Sequence, residues 1–118
     1  MRTIKFKGLR VDGKGWAYGY LVKTENGQCY IFNYHFIPAL TLPSEKFIEV
    51  IPETVGQFTG KLTSDEVEIY EADLIKTWNG SIPKVVNWNE KECSWYFGIK
   101  PLANLRILHK IIGNIHEK

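Results

Sequence analysis

Apolar and polar residues alternate with a period of two along much of the chain, the pattern of strands with one face buried. Ile4 and Phe6 alternate with Lys5 and Lys7, and "DGKG" at Asp12 to Gly15 supplies turn chemistry. Trp16, Tyr18, Tyr20 and Val22 then share one face of a second strand, with Ala17, Gly19 and Leu21 on the other. "ENG" at Glu25 to Gly27 predicts a hairpin, because Asn-Gly takes the positive φ of a tight turn, and Gln28 to Phe32 returns as a third strand. Gly19, in mid-strand, predicts a bulge or a close backbone crossing.

The alternation lapses between Tyr34 and Glu45, where Pro38 and Pro43 cannot donate ladder hydrogen bonds. This reads as a linker, so that residues 1–46 form a β-meander lobe with its linker and residues 47–118 form a second lobe. Phe47 to Ile51 is a strand ended by Pro52. Ile69 and Tyr70 lead through Asp73 into Leu74 to Trp78, Asn79-Gly80 turns the chain, and Val85, Val86 and Trp88 begin another strand. "NEKE" from Asn89 turns it again into Cys93 to Ile99. Short strands at such spacing indicate a mainly β chain and, in the second lobe, a small barrel or sandwich. In the tail, Leu102, Leu105, Leu108 and Ile112 fit helical spacing, whereas Ile111, Ile112 and Ile115 fit a strand. The favoured expectation is a short helical turn over 102–105 followed by a strand.

"EVIPETVGQFTG", Glu49 to Gly60, contains no nucleophile–base pair and no metal ligands. It reads as a structural joint: a strand stopped by Pro52, then a tight excursion requiring Gly56 and Gly60. Hydroxyls of Thr54 and Thr59 are placed to bond nearby backbone. A partner-binding edge is the alternative.

Composition adjusts this picture modestly. Apolar residues make up 44% and charged residues 24%, proportions of a folded chain rather than a disordered one. Aromatics reach 14%, which suits strands. With 15 basic and 13 acidic residues, the net charge of +2 is too small to demand a nucleic-acid partner. Cys29 and Cys93 form no CxxC pair, and two reduced thiols are favoured over one disulfide. No leader pattern and no apolar run near the ~18 residues of a membrane span is seen, so the expected setting is the cytoplasm, without a membrane partner.

Catalytic chemistry finds little footing. His35, His109 and His116 have no metal-ligand spacing, no serine lies in GxSxG, and no glycine-rich phosphate loop is present. No metal, no cofactor and no enzymatic activity are expected. Glu71 and Asp73, on one face if the strand runs straight through them, keep a hydrolase as a distant alternative. The candidate partner-binding residues are Trp78, Trp88, Trp95 and Tyr96 with Lys84 and Lys91. Trp95 and Phe97 share one face and Tyr96 takes the other. Core packing competes with partner binding for all these aromatics.

Four blocks carry a family resemblance: "IKFKGLRVDGKGWAYGYLV" (4–22), "VIPETVGQFTG" (50–60), "IYEADLIK" (69–76) and "IIGNIHE" (111–117). Together they resemble the YopX family of small proteins carried by phages and prophages. The resemblance implies a β-rich chain with an SH3-like barrel in its C-terminal part, and it designates no catalytic residues. Two departures stand out. "KLTSDEVE" at 61–68 replaces a lysine- and Asn-Gly-rich turn, and Ala72 stands where "IYEGD" has glycine; if φ is positive there, alanine costs about 1 kcal/mol. The expectation is a non-enzymatic accessory protein that binds a host or phage protein or assembles into a homo-oligomer. The alternative is a nucleic-acid-binding module using a basic, aromatic barrel face.

Overall fold

The computed structural model describes residues 3–32, 47–77, 82–105 and 109–117. The linker, the turn at Asn79 and the side chain of Trp78 lie outside them. The described residues divide into two compact units, 3–57 and 58–118, so the boundary falls inside the "VGQFTG" stretch rather than near residue 46.

The first unit contains β1 (Phe6–Leu9), β2 (Trp16–Lys23), β3 (Cys29–Phe32) and β4 (Phe47–Val50), paired antiparallel in the order β4-β3-β2-β1. β2 belongs to two ladders. Residues 16–19 pair with β1, from Leu9↔Trp16 to Phe6↔Gly19, and residues 20–23 pair with β3, from Tyr20↔Phe32 to Lys23↔Cys29. Gly19 therefore marks the hand-over from one ladder to the other in unbroken register, not a bulge. The Asp12 turn and the Asn26-Gly27 turn form where their residue types require, with Gly13 and Gly27 at φ +78° and +85°.

The sheet curls at one end, where a single bridge, Arg10↔Val50, joins the end of β1 to β4. Ile51 N–H donates to Leu9 C=O at 2.8 Å, and Thr54 clamps the same corner. Its Oγ1 accepts from Leu9 N–H at 2.8 Å and donates to Ile51 C=O at 2.6 Å. Pro52 opens a 3-10 turn, Pro52–Thr54, and stops β4 as its missing N–H dictates. The core inside the curl is small: Ala17, Cys29, Ile31 and Val50, flanked by Phe6, Leu21, Ile48 and Val55. Gly8 permits it, since a Cβ there would sit 2.9 Å from Val50 Cβ.

After the turn the chain does not make the glycine-dependent excursion expected at Gly56 and Gly60. It forms β5 (Gly56–Leu62), whose first residues pair with β1 through Phe6↔Gln57 and Lys7↔Gly56. The alternation of Val55, Gln57, Thr59 and Lys61 with Phe58 and Leu62 was strand-like, and the glycines concealed it. Gly60, at φ +87°, serves instead at the register shift between Phe58↔Tyr70 and Leu62↔Glu68.

In the second unit, the rest of β5 pairs with β6 (Glu68–Tyr70) across the 63–67 turn, in which Glu66 has φ +64°. A five-stranded antiparallel sheet follows, in the order β10-β9-β8-β7-β11. Its strands are β7 (Asp73–Thr77), β8 (Lys84–Asn89), β9 (Ser94–Phe97), β10 (Lys100–Pro101) and β11 (His109–Asn114). The expected helical turn appears as a 3-10 turn, Leu102–Asn104, and the expected closing strand as β11. Ile69, Ile75, Val86, Phe97 and Leu102 form the core, with Trp95, Leu105 and Ile111 packed against it. The chain is mainly β, in two antiparallel sheets. No barrel closes among the described residues, so the SH3-like closure implied for 47–118 is not seen; β10 and β11 end their sheet as edges.

Candidate functional site: an aromatic cleft on β2

Strand alternation in β2 divides large residues from small ones. Ala17 and Gly19 are buried, while Tyr18 and Tyr20 on the opposite face remain 44% and 48% exposed. Because a small core fills the inner face, the rings are left on the outer one. Successive rings on one strand face are attached about 6.8 Å apart, twice the rise per residue. An open cleft of about 540 Å³ runs along β2, lined by residues 16–20 from both faces of the strand together with Ile4, Lys5, Arg10 and Ile48.

Cations frame this cleft. Lys7 stands directly opposite Tyr18 in the ladder, is only 7% exposed, and holds its Nζ 4.3 Å from the Trp16 ring centroid. That contact is a cation–π interaction which fixes the indole at one end of the row. Arg10 Nε and Nη2 donate to Asp12 at 3.1 and 2.8 Å, which pins the guanidinium at the cleft margin. The hydrogen bond from Arg10, aided by Lys14 N–H, holds the Asp12 carboxyl below the usual carboxylate range. No carboxylate lines the cleft among the described residues.

The residues singled out from sequence lie in the second unit. Trp88 and Trp95 are a cross-strand pair meeting edge to face, with ring centroids 5.2 Å apart. They share the face of Val86 and Phe97, and Trp95 packs against that core while Trp88 stays 39% exposed. Tyr96 lies on the other face opposite Asn87, as alternation requires. Lys84 is exposed, and its aliphatic stem covers Gly98, where a Cβ would meet Lys84 Cδ at 2.9 Å. Lys91 is exposed in the β8–β9 turn. The six candidates are thus not gathered into one site: Trp95 packs on the core, Trp88 meets its edge while partly exposed, Tyr96 faces away, the two lysines are dispersed, and Trp78 is outside the described residues.

Glu71 and Asp73 are not on one straight strand. Glu71 and Ala72 form a two-residue corner between β6 and β7, and Ala72 does take the positive φ inferred from its family position, +73°. Asp73 is 1% exposed, accepting from Tyr70 N–H at 2.8 Å and from Asn114 Nδ2 at 2.9 Å. Asn114 in turn accepts from His116 N–H at 3.0 Å, and its own N–H donates to Glu117 at 2.9 Å. Ile115 N–H reaches Ala72 C=O at 3.0 Å. These bonds tie the end of β11 to the corner and explain why "IYEAD" and "IIGNIHE" belong together. The sequence profile described as YopX protein matches residues 11–118. The chain belongs to the YopX family.

Among the described residues of this YopX chain, no three His, Cys, Asp or Glu side chains are grouped to hold a metal ion, and no helix is long and apolar enough to cross a membrane. No curated protein matches the chain. No sequence motif marks the cleft along Tyr18 and Tyr20. Its signal was present in the alternation itself: a row of rings opposite a row of Ala17 and Gly19 can have only one of the two faces inside.

Proposed function

We propose that this YopX chain is a non-enzymatic binding module of phage or prophage origin, acting in the bacterial cytoplasm. Its binding face is the cleft of Trp16, Tyr18 and Tyr20. The observation carrying this reading is the near-half exposure of two adjacent tyrosines beside fixed cations. Rings of this size ordinarily supply core, and leaving them in water is disfavoured unless something covers them. The non-enzymatic part is supported by Asp73, the one buried carboxylate among the described residues, both of whose oxygens accept structural hydrogen bonds.

A photo-crosslinking residue placed at 18 or 20 tests the reading in cells where the prophage is induced. A discrete adduct is expected at those positions and not at Asn87, an exposed control. Identical patterns at all three positions would remove the cleft from consideration.

A second reading is self-assembly, favoured by β11, an edge of its sheet that exposes Ile112 at 54%. Sedimentation across a wide concentration range decides it: a constant monomer mass excludes it, and a dimer dispersed by Ile112→Lys establishes it.

A further inference from the structure

We infer that the five-stranded sheet binds a second copy of this chain head to tail. The end of the sheet that carries Ile99, Lys84 and Lys100 in one copy seats on the end that carries Trp88, Glu90 and Glu92 in the next. This contact lies in the second unit, apart from the binding face on β2, and it differs from edge pairing at β11.

The sheet is polarised along its strands. β9 runs from the Asn89–Cys93 turn to the Gly98–Ile99 turn, so these turns stand at opposite ends of a strand about 13 Å long. At the Ile99 end, Lys100 follows directly, and the stem of Lys84 reaches the same place, its Cδ 2.9 Å from where a Gly98 Cβ would sit. Lys76 and Lys110 face each other one position nearer that end than the Ile75↔Lys84 pair, and Lys110 is bridged to Asp65. At the other end, the turn between β8 and β9 carries Glu90 and Glu92, and Lys91 between them leaves it net acidic. None of Lys84, Lys100, Glu90 and Glu92 has an ion-pair partner among the described residues. Unpaired surface charges are ordinary. Their segregation by sign to the two ends of one strand is what points to a complement.

Apolar surface accompanies each charge. Ile99 is 91% exposed at the apex of the two-residue turn closed by Lys100↔Phe97, a position that suits small polar residues and glycine. Trp88, 39% exposed, stands one residue before Asn89, where the acidic turn begins. A projecting isoleucine among lysines and a flat indole beside carboxylates complement each other in sign and in polarity. A nucleic acid or an anionic lipid surface would engage the lysines and leave Trp88, Glu90 and Glu92 unused. A second copy uses both ends.

Because the two patches differ, the contact is heterologous: every copy added leaves one patch of each kind exposed, and copies form a ring or an open chain according to the rotation between them. Sedimentation velocity at low salt is the test. The parent is expected to exceed dimer mass as concentration rises, and to shrink toward monomer near about 1 M salt. Ile99→Asp spoils one end and Glu90→Gln/Glu92→Gln the other. Each variant alone is expected to associate at least tenfold more weakly, since neither retains both patches. An equimolar mixture of the two is expected to form a 1:1 complex and nothing larger, because one intact patch of each kind remains. All three positions are exposed, and thermal melting confirms that the variants are folded.

A parent that stays monomeric at every concentration overturns the inference, as does undiminished assembly of either variant or a mixture that gives no complex. A dimer dispersed by Ile112→Lys but indifferent to Ile99→Asp overturns it and leaves the β11 reading standing. A monomeric parent that binds a labelled oligonucleotide or vesicles containing anionic lipid, and loses that binding in Lys84→Gln, also overturns it and assigns the basic end to another anionic partner.

Discussion

The two units of this chain use their aromatic residues in opposite ways. In the second, Phe97 is buried beside Ile69, Ile75 and Val86 and meets the His109 ring edge to face with centroids 5.1 Å apart, and Trp95 packs on the same cluster. In the first, the core is Ala17, Cys29, Ile31 and Val50, and the rings of Tyr18 and Tyr20 stand outside. The difference follows from curvature. A sheet whose first and last strands meet at Arg10↔Val50 closes on a small core, with Phe6 and Leu21 only partly buried at its margin, while Tyr18 and Tyr20 face outward. Aromatic content by itself says nothing of where a binding face lies; the size of the residues between the aromatics does.

Substitutions can break or sharpen this contrast. Phe97→Ala removes a buried ring and is expected to cost about 3–5 kcal/mol, measured by urea denaturation. A loss below about 1 kcal/mol would mean that the second core does not depend on its aromatic. In the first unit the sensitive residue is the smallest one. Gly8→Ala drives a methyl against Val50 and is expected to destabilise by about 1–3 kcal/mol, with chemical denaturation again the measure.

Ala72→Gly acts in the other direction. Relieving alanine of a φ of +73° is expected to stabilise the chain by about 1 kcal/mol, seen as a raised Tm. An unchanged or lowered Tm would show that the corner is held without strain. The smallest effect is expected for Tyr18→Ser and Tyr20→Ser, each within about 0.5 kcal/mol of the parent by denaturation. A loss comparable to that of Phe97→Ala would make these rings part of the core and end the contrast.

Much of this architecture was legible in the residues. The meander, the Asn26-Gly27 hairpin, the turn after Asn89, the 3-10 turn after Pro101 and the strand from His109 all follow local turn chemistry and alternation. What escaped detection depended on partners distant in sequence. Gly56 and Gly60 read as turn residues because nothing nearby shows that Lys7 supplies Gly56 with a ladder neighbour. Asp73 read as one of a surface pair because Asn114, which buries it, lies 41 positions away. The site was missed for a different reason. Trp88 and Trp95 drew attention as the heavier aromatics, whereas exposure is decided by which face the core can fill.

The contrast in bulk between the two sides of β2 has a consequence for how the chain finds its pairing. Slipping this strand by one position against its neighbours would drive Tyr18 and Tyr20 into a space shaped for Ala17 and Gly19, and would strand the small residues in water. Since β2 belongs to both the β1 and the β3 ladders, one such error would disrupt two pairings at once. The outward rings thus act as a steric proofreader: misaligned hairpins are rejected during assembly, before any ligand is met.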